Sequence, residues 1–127
     1  MTIKYISLEE ILRLHFQVIE DFGGSHGIRG EDRLVSVVQA PKQIVLGEEQ
    51  YPLLSEKAVV YLRNIIGDHP FNDGNKRTAI TVCGIFLARN GRRLTASPSE
   101  LEDFVVKIVT EHLKIEQIAS WIDSYSK

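Results

Sequence analysis

The sequence predicts an all-α fold: a compact single domain over residues 1–127, with about six helices around a buried central one. Three observations predict it. Apolar residues recur at three- and four-residue intervals in one segment after another. Two Ser-x-x-Glu stretches, Ser7–Glu10 and Ser97–Glu100, are capping boxes that open helices. One segment is apolar almost all the way round, as a helix at the centre of a bundle must be. At 127 residues the chain suits one domain.

The elements follow in order. After the first capping box, Leu8, Ile11, Leu12, His15, Ile19 and Phe22 share one helical face, and Gly23-Gly24 stops the helix. A polar loop spans Ser25 to Gly30. Leu34, Val37 and Val38 define a short second helix that ends before Pro41. Pro41 to Pro52, with the extended-looking Gln43-Ile44-Val45-Leu46, reads as a connecting loop or a small flap with strand character. A third helix runs from about Ser55 to Ile66, burying Ala58, Val59, Leu62, Ile65 and Ile66, and Gly67 closes it. The central helix begins near Asn75 and ends at Asn90-Gly91. Ser97-Pro98-Ser99-Glu100 starts a fifth, with Leu101, Phe104, Val105, Ile108 and His112 on its apolar face. Ile115, Ile118, Ala119 and Ile122 mark a last short helix, with Trp121 beside them.

Composition excludes several function classes. Lys and Arg number 15 against 17 Asp and Glu, a net charge of −2, so there is no general attraction for nucleic acid or acidic lipid. With 43% hydrophobic and 25% charged residues, disorder is not expected. The single cysteine, Cys83, rules out an intramolecular disulfide or a Cys-based zinc cluster, and is read as an inert core residue. Lys4, Glu9, Glu10 and Arg13 break the opening twenty residues, unlike a signal peptide, and the charge-free run from Thr78 to Ala88 is too short for a membrane span. A cytoplasmic protein without a membrane or direct nucleic-acid partner is the expectation.

The chemistry is concentrated between the third helix and the central one, in Asp68-His69-Pro70-Phe71-Asn72-Asp73-Gly74-Asn75-Lys76-Arg77-Thr78. Pro70 keeps His69 out of the α region, on a fixed turn. Gly74-Asn75 permits a left-handed backbone, from which the amides of Gly74, Asn75 and Lys76 converge at a helix N-terminus, an anion hole. Lys76 and Arg77 add charge beside it. Asp73 is a hard oxygen ligand suited to Mg²⁺ alongside phosphate oxygens. His69 is a base that works near neutrality. Base, metal carboxylate, amide nest and two cations make a phosphoryl- or nucleotidyl-transfer set. Two cations at a helix N-terminus oppose its dipole, a local conflict expected where an anion binds.

His69-Pro70-Phe71-Asn72-Asp73-Gly74-Asn75-Lys76-Arg77-Thr78 resembles the signature of the Fic/Doc family, specifically its Doc (death-on-curing) toxin branch. The usual motif reads H-P-F-x-D/E-G-N-G-R; here Lys76 replaces the second glycine, as in Doc-type toxins. Ser7–Glu10 with His15, Phe22-Gly23-Gly24, Gly27-Ile28-Arg29 and Phe86–Gly91 extend the resemblance from about Tyr5 to Ile122. It implies that His69 is the general base for a Ser or Thr hydroxyl and that Asp73 holds Mg²⁺ on the nucleotide phosphates. Gly74, Asn75 and Lys76 would then bind phosphate oxygens and Arg77 would neutralise their charge. Two-glycine members transfer AMP from ATP. In the Doc branch the nucleotide is thought to lie in the opposite sense, giving a kinase whose target is elongation factor Tu, with growth arrest as the result. The family's inhibitory [S/T]-x-x-x-E-[G/N] helix is absent, since no Ser or Thr here has Glu four residues later. Restraint would come from a Phd-type antitoxin.

Other polar residues have structural readings. His15 and His112 are read as core histidines and His26 as solvated; Arg89, Arg92 and Arg93 complement the central helix's C-terminus. Asn75 either positions phosphate or shapes the turn. The flap either pairs with an extended target segment or is an ordinary connection. Catalytically inactive binding by the same domain is the alternative outside enzymology.

Overall fold

The computed structural model describes residues 2–127. Six α-helices account for most of them: α1 (Leu8–Phe22), α2 (Glu31–Gln39), α3 (Leu54–Asp68), α4 (Asn75–Arg89), α5 (Pro98–Thr110) and α6 (Ile115–Ser124). A 3₁₀ turn, Ala40–Lys42, and a two-stranded hairpin, β1 (Ile44–Val45) and β2 (Glu48–Glu49), join α2 to α3. Both predicted capping boxes form. Ser7 Oγ accepts from Glu10 N at 3.2 Å while Glu10 Oε1 accepts from Ser7 N at 3.1 Å, and Ser97 and Glu100 repeat the exchange.

Helix α4 lies at the centre as expected, and α3 shares that position: α3 packs along α4 and also touches α2 and α6, while α4 carries α1. Ala58, Tyr61, Ile65, Ala79, Val82 and Phe86 are fully buried. Burial pushes the Cys83 thiol up to about 12, consistent with an inert core residue. The first helix is tied down by Arg89, whose guanidinium meets Glu10 and donates to Tyr5 O at 3.3 Å. That contact holds the Glu10 carboxyl at about 2, far below its ordinary value. Arg92 pairs with Asp123 at 3.0 Å, closing the C-terminal helix onto the bundle.

Two boundary readings change, and one apolar position of α1 proves exposed. Gly67 does not end α3; the helix continues through Asp68, and His69, barred from the α region by Pro70, caps it in the left-handed conformation (φ 49°, ψ 61°). His112 is not on α5, which ends at Thr110; it turns the chain with φ 49° and is exposed. Phe22 continues the apolar stripe of α1 but is 62% exposed, because α1 has outrun the core beneath it.

The flap is a true hairpin. Ile44 pairs with Glu49 and Val45 with Glu48, around Leu46-Gly47, both at positive φ. Its base is pinned by Lys57, whose buried ammonium donates to Pro41 O at 3.2 Å and Glu49 Oε1 at 3.0 Å. Its tip, Leu46, is 99% exposed.

Candidate phosphate-binding site

The loop from His69 to Gly74 turns the chain from α3 into α4, and its geometry is set from both ends. Pro70 and Phe71 are buried, anchoring the loop as expected for Phe71. Asn75 turns its side chain back on this anchor. Its Oδ1 accepts from Phe71 N at 3.1 Å and its Nδ2 donates to Phe71 O at 3.0 Å. The Asn75 side chain therefore shapes the turn, leaving only its main-chain amide for an anion. The loop between α1 and α2 lies alongside: Arg29 N donates to Pro70 O at 2.8 Å and Asn72 N to Gly27 O at 3.1 Å.

Asp73 is exposed yet held at three points. Its carbonyl accepts from His15 Nε2 at 2.8 Å, which requires the proton to be on Nε2 because a carbonyl only accepts. Its Oδ2 accepts from Ser25 N at 3.1 Å and its Oδ1 from Gly74 N at 2.9 Å. The carboxylate is thus aimed by backbone amides, with lone pairs remaining for a cation. Gly74 is needed where it stands, at φ 74°, and a Cβ on it would come within 2.9 Å of Ile19 Cδ1.

The start of α4 differs from the expectation in one respect. The Gly74 amide is given to Asp73, so the free nest consists of Asn75, Lys76 and Arg77. No partner is recorded for these three amides among the described residues, and no side chain caps the helix. Each of the other five α-helices has an acidic residue in its first turn; α4 has none. Lys76 is exposed, and the Arg77 guanidinium sits 4.0 Å over the Phe22 ring. His69, Asp73, Lys76, Arg77 and Phe22 border a cleft of about 370 Å³ at this helix end. Across Phe22 and Arg77 it adjoins a second groove of about 490 Å³, lined by Ile80, Leu101, Val105 and Val106 between α4 and α5.

All six expected site residues, His69, Asp73, Gly74, Asn75, Lys76 and Arg77, therefore fall at one place. His15, Ser25, Gly24 and Phe22 join them without having been singled out for the site. His15 is indeed a buried, hydrogen-bonded histidine, and it is also attached to the site. Burial lowers its pKa, against the opposing pull of the Asp73 carbonyl, and so favours the neutral ring. The residues present fit a magnesium-bound phosphate group: unpaired amides and two cations for the anion, one pre-aimed carboxylate for the metal. No set of three His, Cys, Asp or Glu side chains gathers among the described residues, so a divalent ion at Asp73 would complete its shell with phosphate oxygens and water.

Fold and site define a helical-bundle protein with an uncapped, cation-flanked loop at the N-terminus of a central helix. The Fic/DOC family model matches residues 5–87, and the chain belongs to that family. A protein named Protein kinase doc, from Escherichia phage P1, is 34% identical over 116 residues, covering 91% of this chain and 90% of that protein. One named Toxin Doc, from Mycolicibacterium smegmatis, is 32% identical over 107 residues, covering 83% and 82%. These relatives support the Doc branch of the family. No helix of the described residues is long and apolar enough to cross a membrane.

Proposed function

We propose that this protein is the toxin of a toxin–antitoxin system and acts as a Mg-ATP-dependent protein kinase on a Ser or Thr hydroxyl. The target is a translation factor, elongation factor Tu by resemblance to the Doc branch, so that translation and growth stop. It works in the cytoplasm and is held in check by a Phd-type antitoxin. The supporting observation is the start of α4: three amides without partners and no side-chain cap among the described residues, two cations, and Asp73 pre-aimed beside them.

Bound Mg-ATP would supply the γ-phosphoryl group, with ADP as the leaving group. His69, exposed at the cleft edge on a backbone fixed by Pro70, takes the proton from the target hydroxyl as it attacks. Asp73 would hold the magnesium ion. The amides of Asn75, Lys76 and Arg77, with the Lys76 ammonium and the Arg77 guanidinium, bind phosphate oxygens and offset charge that builds on them. Lys76, where AMP-transferring relatives of the resemblance have glycine, favours γ-phosphoryl over adenylyl transfer. The Phd-type antitoxin fits the absence of an inhibitory Ser/Thr-x-x-x-Glu segment in the chain.

Parallel reactions with γ-labelled and α-labelled ATP, Mg²⁺ and a bacterial lysate test the proposal. Label entering protein from the γ position, and lost in His69→Ala, is the expected result. Label from the α position alone would make the enzyme an adenylyltransferase. Growth arrest on expression without label from either would make it a binding module.

A further inference from the structure

We propose that His15 is a positioning residue for the site, holding the peptide unit between Asp73 and Gly74 in the one orientation that aims the Asp73 carboxylate. The chain of contacts is short. His15 Nε2 donates to the Asp73 carbonyl at 2.8 Å. That carbonyl and the Gly74 N–H are the two ends of a single planar peptide, so fixing one fixes the other. The Gly74 N–H in turn donates to Asp73 Oδ1 at 2.9 Å. Ser25 N holds the other carboxylate oxygen at 3.1 Å, so the side chain is clamped from opposite oxygens.

A clamp is needed at this peptide. Gly74 is at φ 74°, and glycine tolerates the backbone rotations through which a peptide plane flips. The rotation would turn the Gly74 N–H away from Oδ1 and leave the carboxylate held only by Ser25. His15 is well fitted to prevent it. It is buried, and its ring stacks on that of Phe71 with centroids 3.7 Å apart and planes within 3°. Phe71 is itself fully buried and bonded to Asn75, so the imidazole has little freedom to swing. A core histidine needing only a partner could use any carbonyl; this one crosses 58 positions of sequence to hold the site's own backbone.

The geometry stands by itself, and its catalytic consequence rests on the transfer reaction proposed above. The experiment therefore has two readouts in the full-length protein: the ¹H–¹⁵N amide signals of Gly74 and Ser25 without nucleotide, and the kinetics of phosphoryl transfer from Mg-ATP. His15→Leu keeps the apolar bulk and removes the donor. It is expected to shift both amide signals and lower kcat about 10- to 100-fold, with KM for the protein target unmoved. His15→Gln, whose amide nitrogen reaches about as far as Nε2, should recover most of both. A folded Leu variant with native Gly74 and Ser25 signals, or a Gln variant no better than Leu, would overturn the inference. If His15→Leu does not fold, the contrast moves to Gln and Asn, both polar, of which only Gln reaches; equal behaviour of the two overturns it. Wild-type protein without any transfer would sink the proposed function alone, since the amide signals still decide whether His15 holds the peptide.

Discussion

Alanine at Gly24 would place a methyl carbon 2.6 Å from Asp73 Oδ2 and 3.1 Å from its Cγ. To restore ordinary contact the carboxylate must retreat by about 0.8–1 Å, breaking the bond from Ser25 N that aims it. The backbone is also unfavourable for a side chain, since Gly24 is at φ 117°; such strain costs about 1–3 kcal/mol. Gly23 supplies the control. It too has positive φ, 86°, but an added Cβ there meets nothing within 4 Å. Both variants should lose roughly 3–10 °C in thermal midpoint through strain. Only Gly24→Ala moves the carboxylate, and misplacing a catalytic group by about 1 Å costs on the order of a hundredfold in rate. Initial rates of transfer from Mg-ATP across a Mg²⁺ titration, with circular-dichroism melts, measure both effects. Gly24→Ala should be about a hundredfold slower and require more Mg²⁺, with Gly23→Ala within a few-fold of wild type. Equal rates in the two alanine variants would refute the claim that Gly24 makes room for Asp73.

Three further outcomes are expected. Thr78 is fully buried and its hydroxyl has no hydrogen-bond partner among the described residues, so Thr78→Val should stabilise the protein by about 1–2 kcal/mol in denaturant unfolding; a loss of stability would show that the hydroxyl is satisfied in solution. The Glu10 carboxyl, held at about 2 by Arg89, contributes stability that is fully present above its ordinary value near 4.5 and lost as pH falls toward 2; Glu10→Gln should flatten that part of the pH–stability curve, and an unchanged curve would remove the pair as its cause. Val45→Pro should disrupt the β1–β2 pairing and reduce transfer to the protein target while leaving Mg-ATP affinity unchanged by calorimetry; wild-type activity would assign the hairpin to connection rather than target binding.

Much of the fold was legible because its signals are local. Capping boxes at Ser7 and Ser97, the apolar spacing of α1 and α6, and the Asn90-Gly91 stop all act within a few residues of chain. The misread positions have two causes. His112 continues the periodicity of α5, and periodicity alone cannot report where a helix ends. His69, rather than Gly67, closes α3 because the restraint from Pro70 acts on the residue before it, whereas a glycine inside a last turn is merely tolerated. The site divides in the same way. His69 to Arg77 form one contiguous stretch whose backbone and charge could be read in order. What aims Asp73 arrives from positions 15, 24 and 25, and no local pattern carries a contact across some fifty residues.

Phe22 shows how an exposed residue of α1 bears on the site. A cation at a helix N-terminus opposes the dipole, typically by 0.3–1 kcal/mol, and α4 has two. A guanidinium over an aromatic face recovers about 0.5–1 kcal/mol at an exposed position, and Arg77 lies 4.0 Å over Phe22. The two effects are similar in size, so Arg77 is tolerated where it stands, while Lys76, with no ion pair or ring contact among the described residues, keeps the full dipole penalty. Phe22, exposed at the end of α1 where the core beneath that helix stops, thus supports a charged residue of the cleft. The same helix holds Asp73 through His15 and closes on Gly74 through Ile19. The charged sequence lies in the loop and α4, but its geometry is set by α1, so substitutions on α1 far from the motif in sequence should alter the chemistry before they alter the fold.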